Sequence, residues 1–307
     1  MNNRIYVLKD EDRLDEVCAL FATGLGETTR AHWKWRIFTP NGQLPPEAVV
    51  IENEQGHLVG MLSVLPELYG DRARKCAQLC DWVIRPDFRG QGLLGRLYQY
   101  TYERYAGLGF DFMLSFPNDH AYPIFQKYGY EEKAPIGSWN TAKKPFSFKR
   151  PAGDIDFEGL AYRFTPSCPL SSFPTRPDRI FRTPEYMRWK YDLNPDVSFQ
   201  WLVVWERAQP IGYFVYTCTQ GRLRTAVNVY DWDFEPTAQE AFCKAIDLLA
   251  RLGNYVSIWG RYGEKERKLL QGAGMTEGTG RTRLMLKSMS EKGYPDPLTL
   301  TRLDTDY

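Results

Sequence analysis

The sequence has little of what the common specialised chemistries need. Histidine occurs only three times, at His32, His57 and His120. The six cysteines, Cys18, Cys76, Cys80, Cys168, Cys218 and Cys243, are scattered. The closest two, Cys76 and Cys80, have no second pair and no histidine nearby, which fits neither zinc spacing nor a disulfide framework. No metal is expected. Charge of one sign is also missing: 39 Lys+Arg stand against 38 Asp+Glu, so no electrostatic partner such as bulk nucleic acid is implied. Behind the polar start M-N-N-R-I-Y no apolar stretch is long enough for a signal peptide or a membrane span. A cytoplasmic protein without membrane insertion is the expectation. With 43% hydrophobic and 25% charged residues, nothing suggests disorder.

Aromatic residues, in contrast, make up 15% of the chain, with 9 Trp and 19 Tyr. Most belong in a core, and the surplus suits a groove for a flat or sugar-like ligand. At 307 residues the chain is long for one core, and two domains of about 150 residues each are the natural division.

Apolar spacing predicts a helix over 11–23, with Leu14, Val17, Cys18 and Phe21 on one face. Strands follow over 48–52 and 59–65, joined by the turn E-N-E-Q-G-H. Another strand, 76–84, leads through R-P-D-F-R-G-Q-G into a helix whose Leu94, Leu97, Tyr98, Tyr105 and Leu108 form its apolar face. Then come a strand over 110–116 and a short helix over 118–128. From Pro145 to Pro177 a proline-rich stretch with Pro151, Pro166, Pro169 and Pro174 reads as a linker or crossover.

The second half echoes the first. Trp33-Lys34-Trp35-Arg36 before Pro40-Asn41 is matched by Arg188-Trp189-Lys190-Tyr191 before Asn194-Pro195. L-V-G-M-L is matched by Q-P-I-G-Y-F around Gly212, Asp81-Trp82 by Asp231-Trp232, and the span Gly109–Gly129 by Gly253–Gly274. Four matches in the same order argue for a duplicated domain; two unrelated α/β domains are the competing reading.

The strongest local signal is Val83-Ile84-Arg85-Pro86-Asp87-Phe88-Arg89-Gly90-Gln91-Gly92-Leu93-Leu94-Gly95, between a strand and a helix. A glycine-rich turn there lets successive backbone N–H groups converge on an anion at the positive end of the helix, and a pyrophosphate suits it. This V-x-x-P-x-x-R-G-x-G run resembles the acyl-CoA loop of the GNAT acyltransferase superfamily. The later N-D-H-A-Y-P-I-F-Q-K-Y-G-Y resembles that family's N-x-x-A-x-x-x-Y-x-K-x-G-F segment.

The fold this resemblance implies is α/β (α+β): tandem GNAT-like domains, each a mixed, mostly antiparallel sheet flanked by helices. Residues 1–150 would carry the acyl-CoA site, 151–290 a second, degenerate copy, and 291–307 a C-terminal tail. By position, Arg89, Gly90, Gln91, Gly92, Leu93, Leu94 and Gly95 would offer amides to the pyrophosphate of acetyl-CoA or another acyl-CoA. Val83 and Ile84 would present main chain to the pantetheine, and Asn118 would hydrogen-bond that arm. Two positions depart from the family. Leu94 stands where it has a small residue, with Gly95 one place later, and Phe125 stands where it has the tyrosine that protonates the departing thiolate. In the second half the matching stretch F-E-P-T-A-Q-E-A has no glycine and carries acids that would repel phosphate, which reads as a copy that binds no CoA.

Attack of an amine on a thioester needs a base. Asp81, expected on a strand face with Leu79 and Val83, is one candidate, because apolar surroundings would raise its pKa; fixing the strand is the alternative. His120, near a helix start, is the other, with a surface cap as its alternative. Tyr122 or Tyr128, flanking Phe125, would supply the missing acid unless they only pack. For the acceptor, Trp33, Trp35, Arg36 and Trp82 are the candidates, a stacked ring and a guanidinium suiting a sugar nucleotide. Burial in the core is the competing reading for the tryptophans.

Taken together, these landmarks resemble bacterial sugar N-acyltransferases of the GNAT class, which implies a small-molecule amine, a nucleotide-linked amino sugar, as partner and leaves a homodimer open. Another small amine or a cell-wall precursor is the second reading, and a non-catalytic acyl-CoA-binding module the third.

Overall fold

The computed structural model describes residues 3–142, 154–222, 224–235, 237–296 and 298–302. Of the sequence expectations, the 150/151 boundary, Pro145, Pro151, Pro236 and the end of the tail lie outside the described residues. In chain order the elements begin with β1 (Arg4–Val7), α1 (Leu14–Ala22), α2 (Arg30–Trp33), β2 (Glu47–Glu52), β3 (Leu58–Tyr69), β4 (Arg74–Ile84) and α3 (Leu93–Gly107). They continue with β5 (Phe112–Ser115), α4 (Tyr122–Lys127), β6 (Glu131–Asn140), β7 (Ile155–Phe157), β8 (Leu160–Thr165), α5 (Pro184–Met187) and β9 (Gln200–Glu206). The rest are β10 (Gln209–Gln220), β11 (Thr225–Phe234), α6 (Gln239–Leu252), β12 (Tyr255–Arg261), α7 (Glu264–Gly272), β13 (Thr276–Ser288) and β14 (Leu300–Thr301).

The chain forms two compact units that are not consecutive stretches. The first holds the chain up to Glu132, then Pro174–Asp196 and Met285–Pro295. The second holds Lys133–Phe173, Val197–Leu284 and the stretch from Asp296 onward.

In the first unit β1, β2, β3 and β4 form an antiparallel meander. Helix α3 crosses over to place β5 parallel to β4, and Met285–Ser288 of β13 closes the far side of β5 in antiparallel register. Alternation in β2 explains the two cores on either side of this sheet. Val49 and Ile51 meet Leu93, Leu97, Tyr98 and Tyr105 of α3 on one face. Ala48 and Val50 meet Leu14, Val17, Leu20 and Trp33 on the other.

The second unit repeats that plan. Strands β7 to β11 are antiparallel neighbours, β12 lies parallel to β11 after the crossover helix α6, and Gly137–Asn140 of β6 pairs antiparallel with β12. Details recur as well as topology. The β3–β4 ladder breaks between Met61 and Ser63, and the β10–β11 ladder between Val215 and Tyr216. Gly60 faces Ile84 and Gly212 faces Phe234; a Cβ at either would lie 2.5 Å from Ile84 Cδ1 or 2.2 Å from the Phe234 ring. Each unit is thus a mixed, mostly antiparallel sheet flanked by helices.

Three local expectations change. Leu108 falls beyond the end of α3 and is exposed rather than on its apolar face, because the chain turns at Gly109 with φ 69°. The helix expected from Asn118 starts at Tyr122. The proline-rich stretch contains a hairpin, β7–β8, with Glu158 and Gly159 at φ 49° and 77°, the left-handed pair that a two-residue turn requires.

Candidate active site

β4 pairs with β5 only over Cys76–Gln78, whereas its pairing with β3 runs on to Ile84. The β5 side of β4 is therefore left open past Gln78, and a cleft of about 510 Å³ lies beside Trp82, Val83 and Ile84. Its other walls come from Arg89, Gly90, Gly92, Leu93 and Leu94, from Asn118, His120, Ala121 and Ile124, and from Gly24 and Leu25.

The turn into α3 explains the chemistry of one end. Gly90 and Gly92 have φ 76° and 72°, a left-handed conformation that glycine adopts without strain. Gly92 caps α3 with no side-chain hydrogen bond, and the Arg96 amide already reaches the Gly92 carbonyl at 3.2 Å. Leu93, Leu94 and Gly95 therefore carry the orphan N–H groups of the first turn, and no acidic residue sits among them. Such a helix head attracts an anion. The nearby Asp87 is held in a bidentate pair by Arg85, at 2.7 Å on both oxygens, and that guanidinium keeps its carboxyl below the usual range. Arg89 turns back so that its Nε donates to the Ile84 carbonyl at 3.0 Å, which ties the turn to the strand.

The carbonyl of Ile84 is thus occupied, a constraint the sequence did not reveal. Gln91 is exposed and is not among the cleft-lining residues. Gly95 has a different role from its neighbours. A Cβ there would lie 3.1 Å from the Tyr128 hydroxyl, so the displaced glycine makes room for Tyr128 to pack against α3. Burial pushes the Tyr128 phenol up from its ordinary value.

Asn118 Oδ1 accepts from the amides of His120 at 3.1 Å and Ala121 at 2.9 Å, capping the turn that leads into α4. That places His120, exposed, on the cleft wall. Tyr122 is not brought to the cleft: its hydroxyl donates to Glu132 at 2.7 Å and accepts from Gln126 at 2.9 Å. Phe125 is buried, edge-on to Trp82 and Tyr130 at 5.7 and 4.9 Å. His57 stays in its hairpin turn, and His32 pairs with Asp196 at 2.5 Å.

The expected surroundings of Asp81 are corrected. Asp81 and Trp82 together face Leu62 at the β3–β4 bulge, with Asp81 at φ 47°. The alternation slips there, so Leu79 enters the core on the α3 side and Val83 the core on the α1 side, and they do not share a face. The Asp81 carboxylate is not set among apolar groups. It accepts from Ser63 Oγ at 2.5 Å and pairs with Arg36 at 3.0 Å. Arg36 is buried, 2% exposed, and the Asp81 carboxylate beside it is half-buried. Trp33 is fully buried in the α1-side core, and Trp35 is buried in a stack with Trp189. The structure therefore brings Trp82 into the cleft with residues of the glycine turn and leaves Trp33, Trp35, Arg36 and Asp81 outside its lining.

Sequence reasoning missed Gly24 and Leu25. A Cβ on Gly24 would lie 3.1 Å from Val83 Cγ2, so the T-G-L-G run after α1 was the available signal for a close approach. Leu25, 43% exposed, offers the cleft an apolar edge. It also missed Lys287, whose Nζ donates to Tyr98 Oη at 3.0 Å and to the Tyr128 carbonyl at 2.7 Å. Burial lowers the Lys287 ammonium below its ordinary value. In the second unit the matching strand end differs. Phe234 is buried, α6 follows Ala238 without a side-chain cap, and Glu240 lies in its first turn. Among the described residues no cluster of three or more His, Cys, Asp or Glu side chains suits a metal ion, and no helix is long and apolar enough to cross a membrane.

Comparison with known proteins agrees with this fold. The family model described as an acetyltransferase (GNAT) domain matches residues 6–132. A GCN5-related N-acetyltransferase from Anabaena variabilis is 17% identical with a TM-score of 0.66, over 94% of this chain and 73% of that one. A tandem GNAT protein from the clavulanic acid biosynthesis pathway is 12% identical with a TM-score of 0.52, over 94% and 99%. The glucosamine N-acetyltransferase region of a fungal multi-domain β-N-acetylglucosaminidase is 13% identical with a TM-score of 0.56, over 93% of this chain and 38% of that one. At such identities the likeness is one of fold. No curated protein matches the sequence.

Proposed function

We propose, starting from a chain that carries a GNAT acetyltransferase domain at residues 6–132, that the protein is an acyl-CoA-dependent N-acyltransferase acting on the amino group of a nucleotide-linked amino sugar. The observation that carries the first part is the cleft beside Trp82–Ile84, bounded at one end by the uncapped head of α3. In this reading the amides of Leu93, Leu94 and Gly95 and the left-handed turn at Gly90–Gly92 hold the diphosphate. Val83 and the Nδ2 of Asn118 meet the pantetheine arm, and Leu25 covers it.

Acetyl-CoA, when bound, supplies the acyl carbon as a thioester. The chain's own residues align the two reactants, and proximity of that kind alone is worth about 7–11 kcal/mol in well-oriented cases. His120 lines the cleft and Asp81 does not, so we assign His120 to take the proton from the amine. Phe125 has no hydroxyl and Tyr128 is not among the cleft-lining residues, so the proton that His120 takes from the amine is the one it returns to the thiolate. Asp81 with Arg36 holds the bulge that turns the strand.

The acceptor class is supported by the fungal neighbour, a glucosamine N-acetyltransferase region. The same reading places the protein in the cytoplasm and leaves a homodimer open. One observation favours a second reading, a non-catalytic acyl-CoA-binding module: Phe125 has no hydroxyl.

Purified protein mixed with acetyl-CoA and a panel of amino acceptors, with free thiol followed over time, tests all of this. Turnover with amino-sugar nucleotides is the expected result. Turnover on polyamines or peptides but not sugars removes the acceptor class, and tight CoA binding without turnover on a broad panel favours the binding module. His120→Asn is expected to lower kcat; an unchanged rate at saturating substrate removes that role.

A further inference from the structure

Followed back from the glycine turn, the β4 residues that line the cleft are Ile84, Val83 and Trp82, and none before Trp82. A ligand with its diphosphate at the turn and its arm along β4 therefore meets Trp82 at the far end. The bulge puts the indole there. Because Asp81 and Trp82 both face Leu62, the slip in alternation sends Trp82 to the α3 side, against the core that holds Ala77 and Leu79.

The indole is braced on several sides. Tyr98 is stacked on it at 5.9 Å, Phe125 is edge-on at 5.7 Å, and Tyr128 is tilted against it at 6.2 Å. Behind them Tyr98 and Tyr128 stack at 4.0 Å, and Lys287 fastens the Tyr98 hydroxyl and the Tyr128 carbonyl. The Trp82 Nε1 is buried and has no hydrogen-bond partner, so apolar packing and not a polar anchor fixes the ring. A close-packed aromatic wall does not yield to an added methylene without strain.

We propose that Trp82 sets the length of the acyl group this protein accepts: its indole closes the thioester end of the cleft, admitting acetyl and excluding longer chains. The proposal rests on the acyl-CoA reading above. Phe125 takes part by filling the space beside the indole, which gives the departure from the family's tyrosine a steric role.

Calorimetric titration with CoA, acetyl-CoA, butyryl-CoA and hexanoyl-CoA tests it without any acceptor. The wild-type protein is expected to bind CoA and acetyl-CoA with similar affinity and hexanoyl-CoA about 100-fold or more weakly, since single methylenes discriminate by about 10–200-fold in closed pockets. Trp82→Ala is expected to bring hexanoyl-CoA within about tenfold of acetyl-CoA. Trp82→Phe, which keeps a ring in the wall, is expected to admit butyryl-CoA but not hexanoyl-CoA.

Wild-type protein that binds hexanoyl-CoA as tightly as acetyl-CoA overturns the proposal. So does a folded Trp82→Ala or Trp82→Phe protein with the wild-type chain-length profile. If none of the four ligands binds, the acyl-CoA reading itself fails and the proposal goes with it, an outcome distinct from uniform binding of all four.

Discussion

The indole N–H of Trp35 donates to the carbonyl of Trp189 at 2.7 Å, and the indole N–H of Trp189 donates back to the carbonyl of Trp35 at 3.1 Å. The rings stack between these bonds with centroids 5.1 Å apart. Both tryptophans occupy the second position of a π-helical turn, Lys34–Phe38 or Arg188–Asp192, which continues a short helix capped by a threonine hydroxyl, Thr29 or Thr183. The pair is a reciprocal clasp between two copies of one motif, gathered into the first unit because Pro174–Asp196 belongs to it.

Breaking that clasp tests its weight. Trp189→Ala removes a buried ring and is expected to destabilise the protein by about 3–5 kcal/mol. Trp35→Phe keeps a ring in the stack and removes one donor, for about 0.5–1.5 kcal/mol. Urea unfolding of the two single variants and the double variant is expected to give a coupling of about 0.5–3 kcal/mol; strict additivity would show that the rings act independently.

A second prediction concerns the turn at the head of α3. Gly92 sits at φ 72° with open space around its Cβ position, so Gly92→Ala creates no clash and acts through the backbone alone. The left-handed conformation costs an L-residue about 1–2 kcal/mol, and a chain that relaxes out of it re-aims the amides of Leu93 and Leu94. Calorimetry is expected to find CoA bound about tenfold more weakly by a protein whose unfolding shows a loss of no more than about 1–2 kcal/mol. Equal affinity would remove those amides from the site.

Much of the turn into α3 was legible because its signals are local. Gly90 and Gly92 report their own φ angles, and Gly24 and Gly95 report close neighbours. The burial of the residues expected to meet an acceptor was not legible, for a physical reason. Trp33, Trp35 and Arg36 have the residue types of a ligand surface, but their burial depends on partners far along the chain: Asp81 for Arg36 and Trp189 for Trp35. The recurrence of the tryptophan motif was the available sign, since a motif kept in the copy without a glycine turn serves the scaffold. The orientation of Trp82 was equally hidden, because a bulge changes which face a residue takes and leaves no pattern in composition.

The Asp81–Arg36 pair separates a structural carboxylate from a base. Asp81→Asn leaves the guanidinium of Arg36, 2% exposed, without that counter-charge, and breaking one half of a buried pair costs about 3–5 kcal/mol. Replacing both, as Asp81→Asn with Arg36→Met, is expected to recover most of that loss, because removing a buried pair outright is often near neutral. If thermal unfolding finds Asp81→Asn as stable as wild type while turnover collapses, Asp81 is the base and His120 loses that role.

The last prediction follows from a pair that ties α3 to the sheet. Arg104 donates to Glu47 through Nε at 2.7 Å and Nη2 at 2.6 Å, and the Tyr105 hydroxyl adds a third bond at 3.0 Å. Burial pushes the Glu47 carboxyl up, but the guanidinium and the phenol outweigh it, and the carboxyl stays below its ordinary value of 4.5. A carboxyl depressed in the folded state binds fewer protons there than in the unfolded chain, so its contribution is complete above 4.5 and disappears as pH falls through the folded value. Glu47→Gln is therefore expected to cost about 1.5–3 kcal/mol at neutral pH, with the gap to wild type closing progressively below pH 4.5. Urea midpoints of both proteins across that range measure it. A gap that holds constant down to pH 2, about where both carboxyl states are protonated, would mean that packing of the side chain and not its charge holds α3 to β2.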